Sequence, residues 1–202
     1  MRSASVLVLA ASLSAGCSGD PVSPYTSGTD TDTDGDSDAD AGDPLERCDP
    51  SAANWPPAWA ALEDQVVDLV NAIREEGADC GDAGVFAATA PLVMEPHLQC
   101  AARVHSLDMG TRNYFDHNSG PDGPLGDTPF ERVAAAEYEG FLLGENLAAG
   151  EDNAEDTVEM WIGSGQHCAK MMNPGATETG IGFAAVDGSV WTNYWTQDFG
   201  SP

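Results

Sequence analysis

Apolar residues recur along the middle of this chain with the period of a helix, and near its end with the period of a strand. In LEDQVVDLVNAIREEG, Leu62, Val66, Leu69, Val70 and Ile73 fall at offsets of 4, 7, 8 and 11, and the run stops at Gly77. That is an amphipathic helix with a glycine stop. EPHLQCAARVHSLDM repeats the pattern with Leu98, Ala102, His105 and Met109 on one face, and Pro96 suits a first turn. His105 is thereby expected on the core side. TPFERVAAAEY predicts a third helix, in which Thr128 and Glu131 form a capping box around Pro129, and Phe130, Val133 and Ala134 open the buried stripe. NAEDTVEMWIG predicts a short fourth, capped by Asn153, with Val158, Trp161 and Ile162 inward. The period then shortens. TGIGFAAV and SVWTNYWTQDF flank Asp187-Gly188, a signal for a two-residue type I′ hairpin. Helices followed by a terminal hairpin predict an α+β fold in which helices cover a mainly antiparallel sheet.

Outside this patterned region the chain changes character. MRSASVLVLAASLSAGC has a single Arg, an apolar run from Val6 to Leu13 and small residues leading into Cys17, the layout of an export signal over residues 1–16. The run is too short to cross a bilayer. LSAGC is similar to a bacterial lipoprotein signal, in which the Cys is acylated and becomes the first mature residue, although Leu13 stands four places before it instead of three. Lipidation at Cys17 is therefore expected, placing the protein at the bacterial cell envelope and facing the periplasm or exterior; ordinary cleavage and secretion is the alternative. From Cys17 to residue 55 the chain carries Asp at every second position from Asp30 to Asp40 and almost no aliphatic side chain. Such a segment buries too little surface to offset its ordering entropy, and it reads as an acidic tether. Asp30, Asp32, Asp34 and Gly35 fit the start of a calcium loop, but the bidentate Glu required at its twelfth position falls on Ala41. One folded domain is expected over residues 56–202, as a monomer.

Charge narrows the choice of partner. The chain has a net charge of −27, and residues 56–202 alone hold 24 acids against five Lys or Arg, a balance of −19. Nucleic acids and anionic membrane surfaces need clustered cations, so no nucleic-acid partner is expected. Cysteine usage fits an oxidising compartment. With Cys17 assigned to the lipid, Cys48, Cys80, Cys100 and Cys168 form an even remainder for two disulfides, and no pair is close enough for the C-x-x-C arm of a zinc site.

Four histidines are candidates for chemistry. His117, in YFDHNSGPDG, closes a helix or takes part in a site, and spacing alone favours the former. His97 and His105 read as structural. His167 follows a Gly-Ser-Gly-Gln run that lets backbone approach closely. The ordered set LVNAIR (69–74), HSLDM (105–109), YFDH with PDG (114–123), GENLAAG (144–150), WIGSGQH (161–167), TETGIGF (177–183) and YWTQDFG (194–200) resembles secreted bacterial members of the CAP superfamily, also called SCP.

The resemblance implies a three-layer α/β/α sandwich with a cleft where two His and two Glu converge, a site that holds zinc or another divalent cation in several members. Carried over by motif, His117, Glu145 and His167 are the metal-ligand candidates. The second Glu falls on Gly165, so cation binding is expected to be weak. Relatives often carry CG after the first helix and a Cys directly after the cleft histidine, which implies a Cys80–Cys168 disulfide and leaves Cys48 to pair with Cys100. Three ligands are the number found in catalytic zinc sites, yet no base or nucleophile motif accompanies them. No catalytic residue is therefore assigned. Two functions follow: a membrane-anchored binding module for an apolar lipid, a peptide or a protein, which is preferred, and a metal-dependent hydrolase of peptide or ester bonds.

Overall fold

In the computed structural model, residues 54–202 are described. The export signal, Cys17, the acidic segment with its calcium-like start, and Cys48 lie outside them. The described chain is a mixed α+β fold of five helices and six strands in two sheets. In chain order these are α1 (Pro57–Glu76), β1 (Ala78–Asp79), β2 (Val85–Phe86), β3 (Val93–Met94), α2 (Pro96–Arg112), α3 (Pro129–Ala135), β4 (Phe141–Ala149), α4 (Ala154–Ile162), α5 (Gly165–Met171), β5 (Glu178–Ala185) and β6 (Asn193–Ser201). β1 and β2 form a small antiparallel pair. The main sheet runs β3-β5-β6-β4, antiparallel except where β3 lies parallel to β5. No described helix is long and apolar enough to cross a membrane.

Strand alternation sets the layers. Ile181 and Phe183 of β5, with Trp195 and Phe199 of β6, join Val66 and Val70 of α1 and Val158 and Trp161 of α4 in one buried cluster. On the opposite face Gly180 and Gly182 lie under α2, where an added Cβ would stand 2.1 Å from the Leu98 carbonyl carbon or 2.3 Å from that of Ala102. The two glycines of TETGIGF thus let a helix backbone rest directly on a strand. The sheet is sandwiched between α1 and α4 on one side and α2 on the other, as the expected three-layer arrangement requires.

β3 pairs with only the first two residues of β5, so the rest of that edge needs another cover. Glu63 of α1 and Arg103 of α2 supply it. Their side chains meet at 2.6 Å, and Glu63 Oε1 accepts the Phe183 amide at 3.0 Å. Arg74 closes the other end of α1 without a carboxylate: Nε donates to the Ala90 carbonyl, Nη1 to those of Met171 and Asn173, and Nη2 to that of Ala176. The Cys80–Cys168 disulfide joins the end of β1 to α5 across 88 residues. By chain entropy a closed loop of that length contributes about 4.6 kcal/mol. Cys100 is also disulfide-bonded, and Cys48, expected to be its partner, lies outside the described residues.

Helix starts agree with the sequence reading, including the Thr128–Glu131 capping box and the Asn153 cap. Three expectations need correction. α2 is buried nearly all round instead of along one stripe, because the sheet, α3 and the 113–127 loop enclose it. On α3, Phe130 and Ala134 are exposed, and Arg132 turns inward beside Val133 because a buried carboxylate awaits it. Asp187-Gly188 is not a two-residue hairpin turn. β5 ends at Ala185 and β6 starts at Asn193, with a seven-residue connection closed by Val186 N–H to the Thr192 carbonyl at 2.7 Å, and Thr192 at φ 63°.

Candidate functional site

β4 carries GENLAAG and lies beside β6, so Glu145 is opposite Asp198 and Leu147 opposite Thr196. This register puts Glu145 on the α2 face, under the capped helix α3. Its carboxylate is almost fully buried and uses both oxygens: Oε1 meets His117 Nδ1 at 2.6 Å, and Oε2 accepts Arg132 Nη2 at 2.6 Å. Burial alone would raise its pKa, but the His117 hydrogen bond and the charges around it outweigh that and hold the carboxyl below its usual value. Asp198 responds in the opposite direction. Complete burial and the Glu145 charge push its carboxyl well above the ordinary range.

The loop that delivers His117 is held from below by α2. Asn113 ends that helix in the left-handed conformation, φ 61°. Arg112 pairs with Asp108 through two bonds of 2.7 and 2.6 Å and also donates to the Ser119 carbonyl. Tyr114 donates its hydroxyl to Asp108 at 2.6 Å. His105, fully buried, donates Nε2–H to the Asp116 carbonyl at 3.0 Å, which leaves Nδ1 as an acceptor for Ser119 Oγ at 3.2 Å. Burial lowers its pKa to about 4, so it is neutral near pH 7. Arg132 Nη1 donates to Ser119 Oγ and to the Asp127 carbonyl, linking this network to Glu145.

His117 itself is half exposed. With Nδ1 on Glu145, its Nε2 is left to the cleft. His167 sits on α5, where its carbonyl accepts Asn146 Nδ2 at 3.2 Å and its buried Nδ1 has no hydrogen-bond partner among the described residues. Burial, followed by the charges of Lys170 and His117, lowers its pKa. Lys170 extends from α5 over Gly144 and donates Nζ–H to the Glu145 carbonyl at 2.9 Å. A cavity of about 230 Å³ opens here, with His117, Glu145 and Lys170 on one side and Pro129, Phe130 and Leu142 on the other. A larger cavity of about 810 Å³ is lined by Glu95, Glu137, Glu139 and Glu178 with His97 and Tyr138. It gathers carboxylates without a Lys or Arg, whereas the smaller one joins acid, base and apolar wall.

His117 and Glu145, singled out in the sequence, are thus in direct contact, with His167 on the neighbouring helix. Among the described residues no group of three or more His, Cys, Asp or Glu is placed to hold a metal ion. Glu145 already faces a guanidinium, which sets a positive charge where a cation would have to approach, and it orients His117 instead of standing beside it as a second ligand. Gly165, to which the resemblance carries the second Glu, faces away from His117 and Glu145. A Cβ at Gly165 would lie 2.8 Å from the Cys80 carbonyl oxygen and 3.5 Å from Ala83 Cβ, so a side chain there meets the disulfide-bonded turn instead of the cleft. Sequence reasoning did not single out Arg132, Asp198 or Lys170, and it weighed Ser119 only as a nucleophile without a motif. The one available signal was a charged residue, Arg132, next to Val133 on the inward side of a capped helix.

The Cysteine-rich secretory protein (CAP) family profile matches residues 67–199. A curated relative, the uncharacterized protein YkwD of Bacillus subtilis, is 33% identical over 137 residues, 68% of this chain and 48% of that protein. Among solved structures, an extracellular protein containing an SCP domain from Bacillus anthracis is 25% identical with a TM-score of 0.58, over 74% of this chain and 45% of the other. An outer surface protein from Borrelia burgdorferi shares the fold at 17% identity and a TM-score of 0.52, over 70% of this chain and 90% of that one. The chain thus spans about half the length of the two Bacillus proteins. With the profile covering the cleft, the sheet and all but the first turns of α1, the chain belongs to the cysteine-rich secretory protein (CAP) family.

Proposed function

We propose that the protein is an exported binding module, held at the bacterial cell envelope by acyl chains on Cys17, whose His117–Glu145 cleft recognises an apolar lipid, a peptide or a protein. The observation that carries this reading is the condition of Glu145. Both of its oxygens are taken by Arg132 and His117, so it is not free to act as a general base on water. The extracellular description of the Bacillus anthracis protein and the outer-surface description of the Borrelia burgdorferi protein support export. Anchoring follows from the layout of the first 17 residues, and stable attachment needs more than one acyl chain.

A single feature favours the second reading, a metal-dependent hydrolase. Glu145 fixes His117 through Nδ1 and leaves Nε2 outward, the way a carboxylate orients a metal-binding or proton-transferring imidazole. Two measurements on wild type and His117→Ala distinguish the readings: thermal-shift screening against lipid and peptide panels, and ester and peptide hydrolysis with and without added zinc. The binding reading expects melting-temperature shifts that depend on His117 and no turnover. Zinc-dependent turnover lost in His117→Ala replaces it with the hydrolase. Detergent partitioning of wild type against Cys17→Ser tests the anchor, and equal release of both into the aqueous phase removes it.

A further inference from the structure

We propose that the cleft captures the free carboxyl terminus of an extended, basic peptide laid along the outer edge of β4, with Lys170 as counter-charge to the carboxylate. This rests on the binding-module reading and narrows it to one ligand chemistry.

Among the described residues β4 is the last strand of its sheet, so one of its edges has no described strand beside it. A bare edge presents outward N–H and C=O groups that another chain can pair with. The C-terminal half of this edge is closed: Lys170 Nζ holds the Glu145 carbonyl, and Trp161 Nε1 holds that of Leu147, each at 2.9 Å. The other half is open. No hydrogen bond of the described residues reaches the outer edge from Phe141 to Leu143, where Phe141 is 72% and Leu143 41% exposed. Phe130, 66% exposed, lines the cavity together with Leu142. A strand added at Phe141 therefore runs out of edge at Glu145, where Lys170 stands.

Charge identifies the occupant. Of the five Lys and Arg in residues 56–202, Arg74 is held by carbonyls, Arg103 by Glu63, Arg112 by Asp108 and Arg132 by Glu145. Lys170 makes no ion pair among the described residues and gives a hydrogen bond only to a main-chain carbonyl. An ammonium at the blocked end of an open edge suits a terminal carboxylate. The balance of −19 around it repels acidic residues elsewhere in a ligand and favours Lys or Arg upstream. A cavity of about 230 Å³ between Pro129, Phe130 and Leu142 takes one apolar side chain, not the tail of a membrane lipid. Strand addition, one side-chain pocket and capture of a chain end are established modes of peptide recognition, and here they adjoin.

The test uses fluorescein-labelled hexapeptides Lys-Lys-Thr-X-Thr-X, with X each apolar residue in turn. Each is made as free acid and as carboxamide and titrated by anisotropy against the mature protein. The expected result is at least one peptide whose acid binds about tenfold or more tightly than its amide. That preference should vanish in Lys170→Met and persist in Lys170→Arg, with all three proteins showing the same circular dichroism. Where Lys170→Met does not fold, the acid–amide comparison on wild type decides. Absence of any acid preference, or its survival in a folded Lys170→Met, overturns the proposal. If acids and amides bind equally, the carboxylate assignment falls while the binding module stands. If no peptide binds, this inference fails, and lipid or protein ligands found by thermal shift would still uphold the module.

Discussion

On the side of α1 and α4, the main sheet keeps its distance from the helices with large side chains: Ile181, Phe183, Trp195 and Phe199 fill the gap. On the side of α2 the strand drops its side chains at Gly180 and Gly182, and helix backbone rests on strand backbone. The first face is an apolar core that tolerates small adjustments, because contact is shared among many methyl and ring atoms. The second is a fixed separation with almost no compliance. It also carries the charged network of the site, with Ser106 bonded to Thr196, Asp198 beside Glu145, and Arg132 and His105 beneath the His117 loop, whereas the buried polar side chains of the other face, Asn146, Thr179 and Gln197, are uncharged. Polar networks are worth having only when every distance is right. The glycine-set face supplies that precision, and the candidate site is on it.

The strongest way to break this contrast is at the buried ion pair. Glu145→Ala leaves Arg132 charged and enclosed, and should cost about 3–5 kcal/mol in urea denaturation while releasing the His117 loop. Gly182→Ala comes next. Its methyl would stand 2.3 Å from α2 backbone, so about 3 kcal/mol of overpacking is expected, read as a lower denaturation midpoint. If either variant is as stable as wild type, the rigid-face description is wrong.

Acid should act on the same face. His105 has a folded pKa of about 4 against an ordinary 6.5, so between those values the unfolded chain binds a proton that the native chain refuses. Stability should therefore fall by about 3 kcal/mol as pH drops from 6.5 to 4. Glu145, held low, adds a further loss as its folded value is crossed at still lower pH. Denaturation midpoints at a series of pH values measure this, and His105→Gln should flatten the upper part of the slope. On the apolar face, Phe183→Leu should cost only about 1 kcal/mol, sharpening the difference in compliance. The smallest effect has the opposite sign. Burial holds the Asp198 carboxyl in the fold above its unfolded pKa, so its contribution is present in acid and lost as pH rises. Asp198→Asn can still donate to Glu145 without that cost, and should gain about 1 kcal/mol at pH 7 and little at pH 4.

Local chemistry is legible in the sequence, and long-range chemistry much less so. Thr128 with Glu131, Asn153 and Gly77 mark helix ends because capping is settled within a turn. Layering follows from helices preceding a strand-period end. β4 does not announce itself as a strand, since GENLAAG lacks alternation and both of its faces are buried over residues 145–148. Helical period points Phe130 inward because it cannot tell an exposed Phe over a cleft from a core Phe, and it is silent on Arg132, whose partner is 13 residues away on a strand. His117 and Glu145 can be named only by family resemblance. Their contact spans 28 residues and has no local signature.

Arg74 sets an order of events for the chain as it folds. Its four acceptor carbonyls lie 16, 97, 99 and 102 residues further on, so its guanidinium loses water without replacement until residues up to Ala176 have arrived. The first helix of the domain, which precedes every other described element, therefore cannot settle until most of the domain has been delivered. Assembly of this kind is slow in proportion to the sequence distance it must close. A nascent chain halted before residue 176 would hold α1 only loosely, open to proteases that the completed domain resists.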